Sequence, residues 1–225
     1  MSDFRLTPRQ KAITELLGKN ETVADIGCDH GILSVYLAEN GYARHVFATD
    51  ISAASLQKAR NLAQKRKIEL EFFVCDGFSG IPVIPSAAVI SGIGGDGIAR
   101  IIAHPRAKTK LILQPMKDSA AVFQALQENG FCIDKEIIVR ENDRFYEVLR
   151  ALPGKMASFD FFLPRPGTLV MDANAYAFFQ HRLKVLQNAA CAAGRSDGAT
   201  ARRRLYELNT QIQRIQEVLK DAPDF

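Results

Sequence analysis

Short apolar runs alternate with helical patterns from the N-terminus to about residue 151, and this alternation restricts the fold more than any other feature. It predicts a mostly parallel sheet with helices on both faces, because parallel strands need long crossover connections. The predicted strands cover 22–26, 45–50, 70–75, 87–91, 110–114, 132–140 and 144–151, and the predicted helices cover 7–18, 32–40, 52–65, 97–103 and 119–129.

The last two predicted strands are joined by the short polar turn ENDR at 141–144. A connection this short joins antiparallel neighbours, so the last strand should run against the others. A parallel sheet of about six strands plus one antiparallel strand is the Rossmann-like arrangement of class I methyltransferases, and other doubly wound enzymes share it.

The pattern changes beyond residue 167, where apolar residues recur at alternating steps of three and four in two runs. The stretch GRSDG at 194–198 separates the runs. This spacing predicts two antiparallel helices packed along one seam, and we expect a sheet domain at 1–160 and a helical hairpin at 161–225. The seam residues are Tyr176, Phe179, Leu183, Leu186 and Ala190, then Ala201, Leu205, Leu208, Ile212, Ile215 and Leu219.

The hairpin carries the basic excess of the chain. Residues 176–214 contain seven Lys and Arg against two acids, a net charge of +5, whereas the whole chain has +4. Two interpretations stay open: the hairpin packs or dimerises with its arginines in solvent, or it binds nucleic acid. The adjacent Arg202, Arg203 and Arg204 favour the second. The oligomeric state, monomer or weak dimer, is open as well.

Composition predicts a cytoplasmic protein without a metal. The first residues, MSDFRLTPRQ, lead into no apolar region typical of a signal peptide, and about 18 uninterrupted apolar residues occur nowhere. The four cysteines lie far apart with no CxxC pair, and the four histidines lack metal-ligand spacing. We therefore expect no membrane association and no structural metal.

The stretch VADIGCDHG at 23–31 indicates a strand that ends in a nucleotide-binding turn. A dinucleotide fingerprint would need glycines at 27, 29 and 32, but only Gly27 is present, and the carboxylate of Asp29 would repel a pyrophosphate. The alternative template, acidic-x-Gly-x-Gly-x-Gly, fits Asp25, Gly27 and Gly31. It belongs to S-adenosylmethionine, whose sulfonium and ammonium groups tolerate nearby carboxylates.

Acids also end the next two strands. Asp50 can accept both ribose hydroxyls of the cofactor, and Asp76 can accept the exocyclic amine of its adenine. Both would lie at the carboxyl ends of the strands, where open α/β sheets bind ligands. The glycine-rich stretch SGIGGDGI at 91–98 follows the fourth strand. Its amides can approach a ligand closely, or it is a tight turn without function.

Four segments together, VADIGCDHG, SGIGGDGI, KLILQPM and ENDRFYEVL, make the chain resemble the bacterial TrmK family. These are tRNA adenine-N1 methyltransferases that modify adenine 22, and they join a class I methyltransferase domain to a C-terminal coiled-coil hairpin. The resemblance extends over nearly the whole chain. This chain has Ser34 where the family commonly has proline, Ile93 where the family has methionine, and Met116 where it usually has an asparagine able to hydrogen-bond a base.

The resemblance implies a set of site residues. Asp29 and His30 match the family's Asp-His pair, and Gly92, Gly94 and Gly95 match its glycine loop. The cofactor set is Asp25, Gly27, Cys28, His30, Asp50, Ile51, Asp76, Gly77 and Gly92; the substrate set is Arg5, Gly94, Gly95, Gln114, Arg202, Arg203 and Arg204; the catalytic residue is Asp29.

The implied reaction needs no strong base, because nitrogen 1 of adenine holds an in-plane lone pair. Alignment should supply most of the acceleration, and a carboxylate would stabilise the ring as it becomes cationic. Asp29 is the first candidate, although it can instead hold the loop or bind the methionine ammonium. His30 fits an orienting role. A methyltransferase with another substrate and a non-catalytic RNA-binding module remain the rival classes.

Overall fold

The computed structural model describes residues 5–155, 167–195 and 198–223. The chain divides into two units, Met1–Ala157 and Ser158–Phe225. The predicted domain boundary at 160/161 lies outside the described residues and stays a prediction.

Strands and helices alternate in the first unit as the sequence predicted, with bounds that differ by a few residues. The strands are β1 Asn20–Ile26, β2 Ala43–Asp50, β3 Glu71–Val74, β4 Ala87–Ile93, β5 Lys110–Pro115, β6 Phe131–Glu141 and β7 Arg144–Pro153. The helices are α1 Pro8–Leu17, α2 Ile32–Glu39, α3 Ala53–Arg66, α4 Gly95–Ile102 and α5 Ser119–Glu128, with a 3₁₀ turn at Pro105–Ala107.

The strands form one seven-stranded sheet in the order β3-β2-β1-β4-β5-β7-β6. Strands β1 to β5 pair in parallel, and β7 is antiparallel to both of its neighbours. Strand β6 therefore runs in the direction of β5, which makes six parallel strands and one antiparallel strand. This confirms the predicted fold class.

The central strands are buried because helices cover both faces of the sheet. Val23–Ile26 of β1 and Ala87–Ile90 of β4 are all buried, whereas the edge strand β3 has no buried residue. The strand order reverses at β1, since β2 and β3 extend to one side and β4 and β5 to the other. Such a switch point opens a crevice at the carboxyl ends of the strands.

Helix α1 begins with a capping box. Thr7 caps the amide of Gln10, and the Gln10 side chain accepts a hydrogen bond from the Thr7 amide. The apolar face of α1, which includes Ile13 and Leu17, is buried in contact with β5, β6 and β7. This packing brings the first turn of α1 to the carboxyl end of β5.

The second unit contains α6 Ala173–Ala193 and α7 Ala199–Lys220. The two helices pack on each other along the predicted seam, in which Phe179, Leu186, Leu208 and Ile215 are buried. The predicted helix pair is confirmed. Within the described part of the chain, no helix combines the length and apolar character needed to cross a membrane.

Candidate active site

A cavity of about 650 Å³ opens at the carboxyl ends of β1 to β5. Its walls come from the turns after β1, β2, β3 and β4, from the end of β5 and from the first turn of α1. Residues of the predicted cofactor set that line it are Asp25, Gly27, Cys28, His30, Asp50, Ile51, Asp76, Gly77 and Gly92.

The turn after β1 follows a path that few side chains allow. Gly27, Asp29 and Gly31 all have positive φ angles, of 74°, 49° and 70°. A Cβ on Gly31 would lie 2.6 Å from the Cβ of Ala59, because the start of α2 touches α3 at this point. Gly31 is therefore fixed by packing as well as by its backbone conformation.

Asp50 anchors this turn from the end of β2. Its Oδ2 accepts a hydrogen bond from the amide of Asp29 at 3.1 Å, and its Oδ1 accepts one from the amide of Ser52 at 2.8 Å. A carboxylate has about four acceptor positions, so two remain for the ribose hydroxyls of a nucleoside. The adjacent Ile51 is 74% exposed, which leaves an apolar surface beside that position.

Asp76 lies in the turn after β3 and forms an exposed ion pair. Its Oδ1 is 3.4 Å from Nη2 of Arg100 on α4. Gly77 has a φ of 59°, and a Cβ there would lie 3.3 Å from Cγ2 of Ile101. The turn thus sits close to α4, with the carboxylate of Asp76 at the mouth of the cavity.

Asp25 is the buried acid of the site. Ser34 Oγ donates a 2.6 Å hydrogen bond to its Oδ2, and Ser34 itself is fully buried. Burial raises the pKa of Asp25 to about 6, against the opposing effect of the Ser34 hydrogen bonds. Burial, followed by the fields of Asp25, Asp50 and Asp29, also raises the pKa of the Cys28 thiol. The base of the cavity is therefore an acidic environment.

Asp29 directs its carboxylate to solvent and the cavity, since its side chain is 68% exposed. Its Oδ2 is 3.4 Å from Nδ1 of His30, and Nε2 of His30 is 3.0 Å from Nζ of Lys58. A lysine ammonium only donates, so Nε2 of His30 accepts and the ring proton faces Asp29. The orienting role of His30 stays a prediction.

The glycine-rich stretch divides into two parts. Gly92 has a φ of 77° and lines the cavity. Gly94 and Gly95 are not among the cavity-lining residues, because they lie against the turn after β5. A Cβ on Gly95 would be 1.9 Å from the carbonyl oxygen of Asp118, and the Gly95 amide donates to the carbonyl of Lys117 at 3.0 Å. Close packing is thus one reason for glycine at 95.

Gln114 lines the cavity at the end of β5 and is buried. Its Nε2 donates to the carbonyl of Pro115 at 2.8 Å, and Nη1 of Arg9 lies 3.5 Å from its Oε1 and 3.0 Å from Sδ of Met116. Arg9 also stacks on an aromatic ring of β7 and is held by Glu141 at 3.0 Å. The Arg9 Nε is buried without a partner among the described residues.

Glu141 is a strong anchor for Arg9. Burial raises the pKa of the Glu141 carboxyl, but the hydrogen bonds and charge of Arg9 outweigh burial and leave the pKa below its ordinary value. The pair links the first turn of α1 to the end of β6, and so fixes the guanidinium at the edge of the cavity.

The remaining predicted substrate residues lie outside the cavity lining. Arg5 is exposed just before α1. Arg202, Arg203 and Arg204 are exposed on α7, in the second unit, where Glu207 lies 3.1 Å from Arg203 and 3.8 Å from Arg204. Exposed pairs of this kind contribute little, about 1 kcal/mol or less, so phosphate groups can compete for the guanidinium groups.

Sequence reasoning did not find Ser34, Lys58 or Glu141. Ser34 left a weak signal as a polar residue within the apolar segment ILSVYLAE. Lys58 left none, and Glu141 entered only as the first residue of ENDRFYEVL, because their partners are 28 and 132 residues away in the chain.

The fold and the acidic cavity at its switch point define a class of enzyme, the Rossmann-like methyltransferases. The chain belongs to the methyltransferase domain family, whose model matches residues 6–149. It is also 27% identical over 239 residues to the tRNA (adenine(22)-N(1))-methyltransferase of Bacillus subtilis (strain 168), a match that covers 97% of this chain and 99% of the relative.

Solved structures give the same picture of the fold. The B. subtilis m1A22 tRNA methyltransferase TrmK matches with a TM-score of 0.79 at 22% identity, over 96% of this chain and 100% of that chain. Streptococcus pneumoniae Sp1610 in complex with S-adenosyl-L-methionine matches at 0.78 and 24%, with the same coverage. M. capricolum TrmK with S-adenosyl-homocysteine matches at 0.79 and 16%, over 97% and 99%. The predicted resemblance to this family is confirmed.

Proposed function

We propose that this protein transfers the methyl group of S-adenosylmethionine to nitrogen 1 of an adenine in tRNA, at position 22. The observation that carries the proposal is the row of carboxylates at the ends of β1, β2 and β3, which face one cavity. An acidic cavity suits a sulfonium and an ammonium group and opposes a pyrophosphate. The similarity to the B. subtilis enzyme over nearly the full length of both chains supports the choice of substrate.

The order of the strands suggests where each part of the cofactor binds. Asp50 ends β2 and Asp76 lies in the turn after β3, on one side of β1, where their carboxylates would accept hydrogen bonds from the ribose and the adenine amine. The amino-acid part would then lie over the turn after β1, with the methyl group on the side of β4 and β5.

The target adenine would enter on the other side of β1, beside Gly92 and Gln114. Gly92 has no side chain, so its backbone leaves space for a flat ring. Arg9 lines the cavity at this end and supplies guanidinium donors there. Nitrogen 1 lies on the Watson–Crick edge of adenine, so a paired adenine must leave its helix before it reacts.

Asp29 lies in the turn after β1, between the cofactor side and the target side of the cavity. In the reaction, the lone pair of nitrogen 1 attacks the methyl carbon while the carbon–sulfur electron pair returns to sulfur. The sulfonium charge is lost and the adenine becomes cationic. A carboxylate beside that ring is more stabilising in the transition state than in the ground state, and we assign this role to Asp29.

The exposed arginines of α7 are proposed to hold tRNA through its phosphates. This contact supplies affinity without sequence information, because phosphates are the same along the RNA. It would be sensitive to salt, because binding releases counterions from the RNA. We place this function in the cytoplasm, where tRNA is modified in bacteria.

The experiment is methylation of bulk tRNA with radiolabelled S-adenosylmethionine, followed by mass spectrometry of the nucleosides. The expected product is 1-methyladenosine, and a tRNA transcript with guanosine at position 22 should accept no label. Label in another nucleoside, in protein or in a small molecule would show that the protein is a methyltransferase with a different substrate. Absence of transfer, with tRNA binding intact, would leave an RNA-binding module.

A further inference from the structure

The carboxylate of Asp25 is held at the N-terminus of α2 by one residue, Ser34. The N-cap of α2 is Gly31, which has no side chain to satisfy the free amides of the first turn. Ser34 is the third residue of the helix, and it gives both its hydroxyl and its backbone amide to Asp25. The hydroxyl contact is short, at 2.6 Å between Oγ and Oδ2.

The contact between Ser34 and Asp25 is buried, but Asp25 also faces the cavity. Ser34 is 0% exposed and Asp25 is 2% exposed, yet Asp25 lines the cavity. The charged groups that act on Asp25 and on the neighbouring Cys28 are all carboxyls: Asp50 acts on Asp25, and Asp25, Asp50 and Asp29 act on Cys28. A buried carboxylate in such surroundings needs strong donors to stay charged, and a cation bound in the cavity would be stabilised by it.

We propose that Ser34 is a positioning residue that keeps Asp25 oriented and ionised as the counter-charge for the α-ammonium group of S-adenosylmethionine. The inference rests on the proposed function, since it takes S-adenosylmethionine as the cofactor. It goes further by giving a role to Ser34, a residue outside the predicted cofactor set.

A purely structural role for Ser34 makes a different prediction. If Asp25 only caps α2, loss of the hydroxyl would destabilise the helix start and weaken binding of any adenosine ligand, at every pH. If Asp25 must be charged to bind an ammonium group, loss of the hydroxyl would raise its pKa and weaken binding mainly at low pH. The effect would be confined to ligands that carry the ammonium group.

The test is calorimetry between pH 5 and 8 with two probes, S-adenosylhomocysteine and 5′-methylthioadenosine, which lacks the amino-acid part. For the parent, affinity for S-adenosylhomocysteine should rise as pH increases through about 6, where Asp25 becomes charged. In Ser34→Ala the rise should move to higher pH, with a loss of about tenfold at pH 6 and a much smaller loss at pH 8. Affinity for 5′-methylthioadenosine should change little with pH in either protein.

A second variant separates the outcomes. Asp25→Asn should bind S-adenosylhomocysteine weakly without the pH dependence, and adding Ser34→Ala to it should cause no further loss. An unchanged pH profile in Ser34→Ala, or an equal loss for both probes, would overturn the inference and leave the cofactor assignment intact. Failure of the parent protein to bind either probe would instead overturn the proposed function, and this inference with it.

Discussion

The backbone amide of Asp29 donates a hydrogen bond to Oδ2 of Asp50, with the two atoms 3.1 Å apart. The proposed ribose-binding carboxylate therefore also holds the turn that carries the proposed catalytic carboxylate. Asp29 has a positive φ of 49°, a conformation that a non-glycine residue keeps only when its surroundings fix it. Binding of the cofactor and placement of Asp29 are thus coupled through one side chain.

This coupling predicts that Asp50→Ala lowers both cofactor affinity and turnover. Loss of charge-assisted hydrogen bonds costs about 1.5–3 kcal/mol each, so affinity for S-adenosylmethionine should fall at least tenfold to a hundredfold in calorimetry. Turnover at saturating cofactor should fall as well, because the turn loses its anchor. Glu21→Ala is a control, since Glu21 is an exposed acid that pairs with Arg44 away from the cavity. Parent-like affinity in Asp50→Ala would show that the ribose lies elsewhere.

Asp29→Asn should separate catalysis from binding. The amide has nearly the same shape, so cofactor affinity should change little, whereas single-turnover methylation at saturating substrates should slow by about a hundredfold or more. The exposed Asp143, which pairs with Arg140, provides a control in Asp143→Asn. A variant that binds cofactor poorly but reacts normally once saturated would make Asp29 a cofactor-binding residue and leave catalysis to alignment.

Asp25→Asn should make the protein more stable at neutral pH while it weakens cofactor binding. The pKa of Asp25 is raised from 3.8 to about 6 by burial, so its folded state binds a proton more tightly than its unfolded state. Its contribution to stability is complete below about pH 4 and is lost as pH rises to about 6. The variant should therefore gain up to about 3 kcal/mol over the parent at pH 7 and nothing at pH 4. Denaturant unfolding at the two pH values measures this, and an equal difference at both would contradict it.

The sheet and the row of acids could be predicted from the sequence alone, for a simple physical reason. Buried parallel strands are continuous apolar runs, and the residues at the C-terminal end of each run, or just after it, must lie at the carboxyl edge of the sheet. The sequence pattern alone therefore places Asp25, Asp50 and Asp76 at one edge. Heptad spacing likewise determined which residues of α6 and α7 face each other.

Contacts between distant segments could not be predicted in this way. Arg9 meets Glu141 across 132 residues, and the reason for glycine at 95 is a carbonyl oxygen 23 positions further along. Neither contact follows a repeat, a spacing or a local preference. Ser34 is only nine residues from Asp25, but its contact depends on the turn after β1, which returns the start of α2 to the end of β1.

Gly95→Ala should destabilise the protein, whereas Gly94→Ala should not. A Cβ at 95 would be 1.9 Å from the carbonyl oxygen of Asp118, so the backbone must shift, at a cost of roughly 1–3 kcal/mol. At 94 the nearest atom is Cε of Lys117 at 3.4 Å, which can move, and the backbone φ of −70° suits alanine. Thermal unfolding distinguishes them. If Gly94→Ala is as stable as the parent but methylates tRNA more slowly, the prediction that Gly94 binds the substrate is supported. If the variant is as active as the parent, Gly94 does not bind the substrate through its small size.

Replacing Arg202, Arg203 and Arg204 together by alanine should weaken tRNA binding and leave S-adenosylmethionine binding unchanged, because these residues belong to the second unit and do not line the cavity. Removal of one phosphate-binding arginine should reduce the slope of log affinity against log salt by about 0.7 to 0.9, so removal of three should reduce it by about two to three.

The matched control for this variant removes three other exposed basic residues, Lys19, Arg44 and Lys65, which lie in the first unit. It has the same net charge as the α7 variant, so a general effect of charge would lower both slopes equally. Filter binding of tRNA between low and physiological salt measures the slopes. A loss confined to the α7 variant places RNA phosphates on that helix, and equal slopes in the two variants would return α7 to a packing or dimer role.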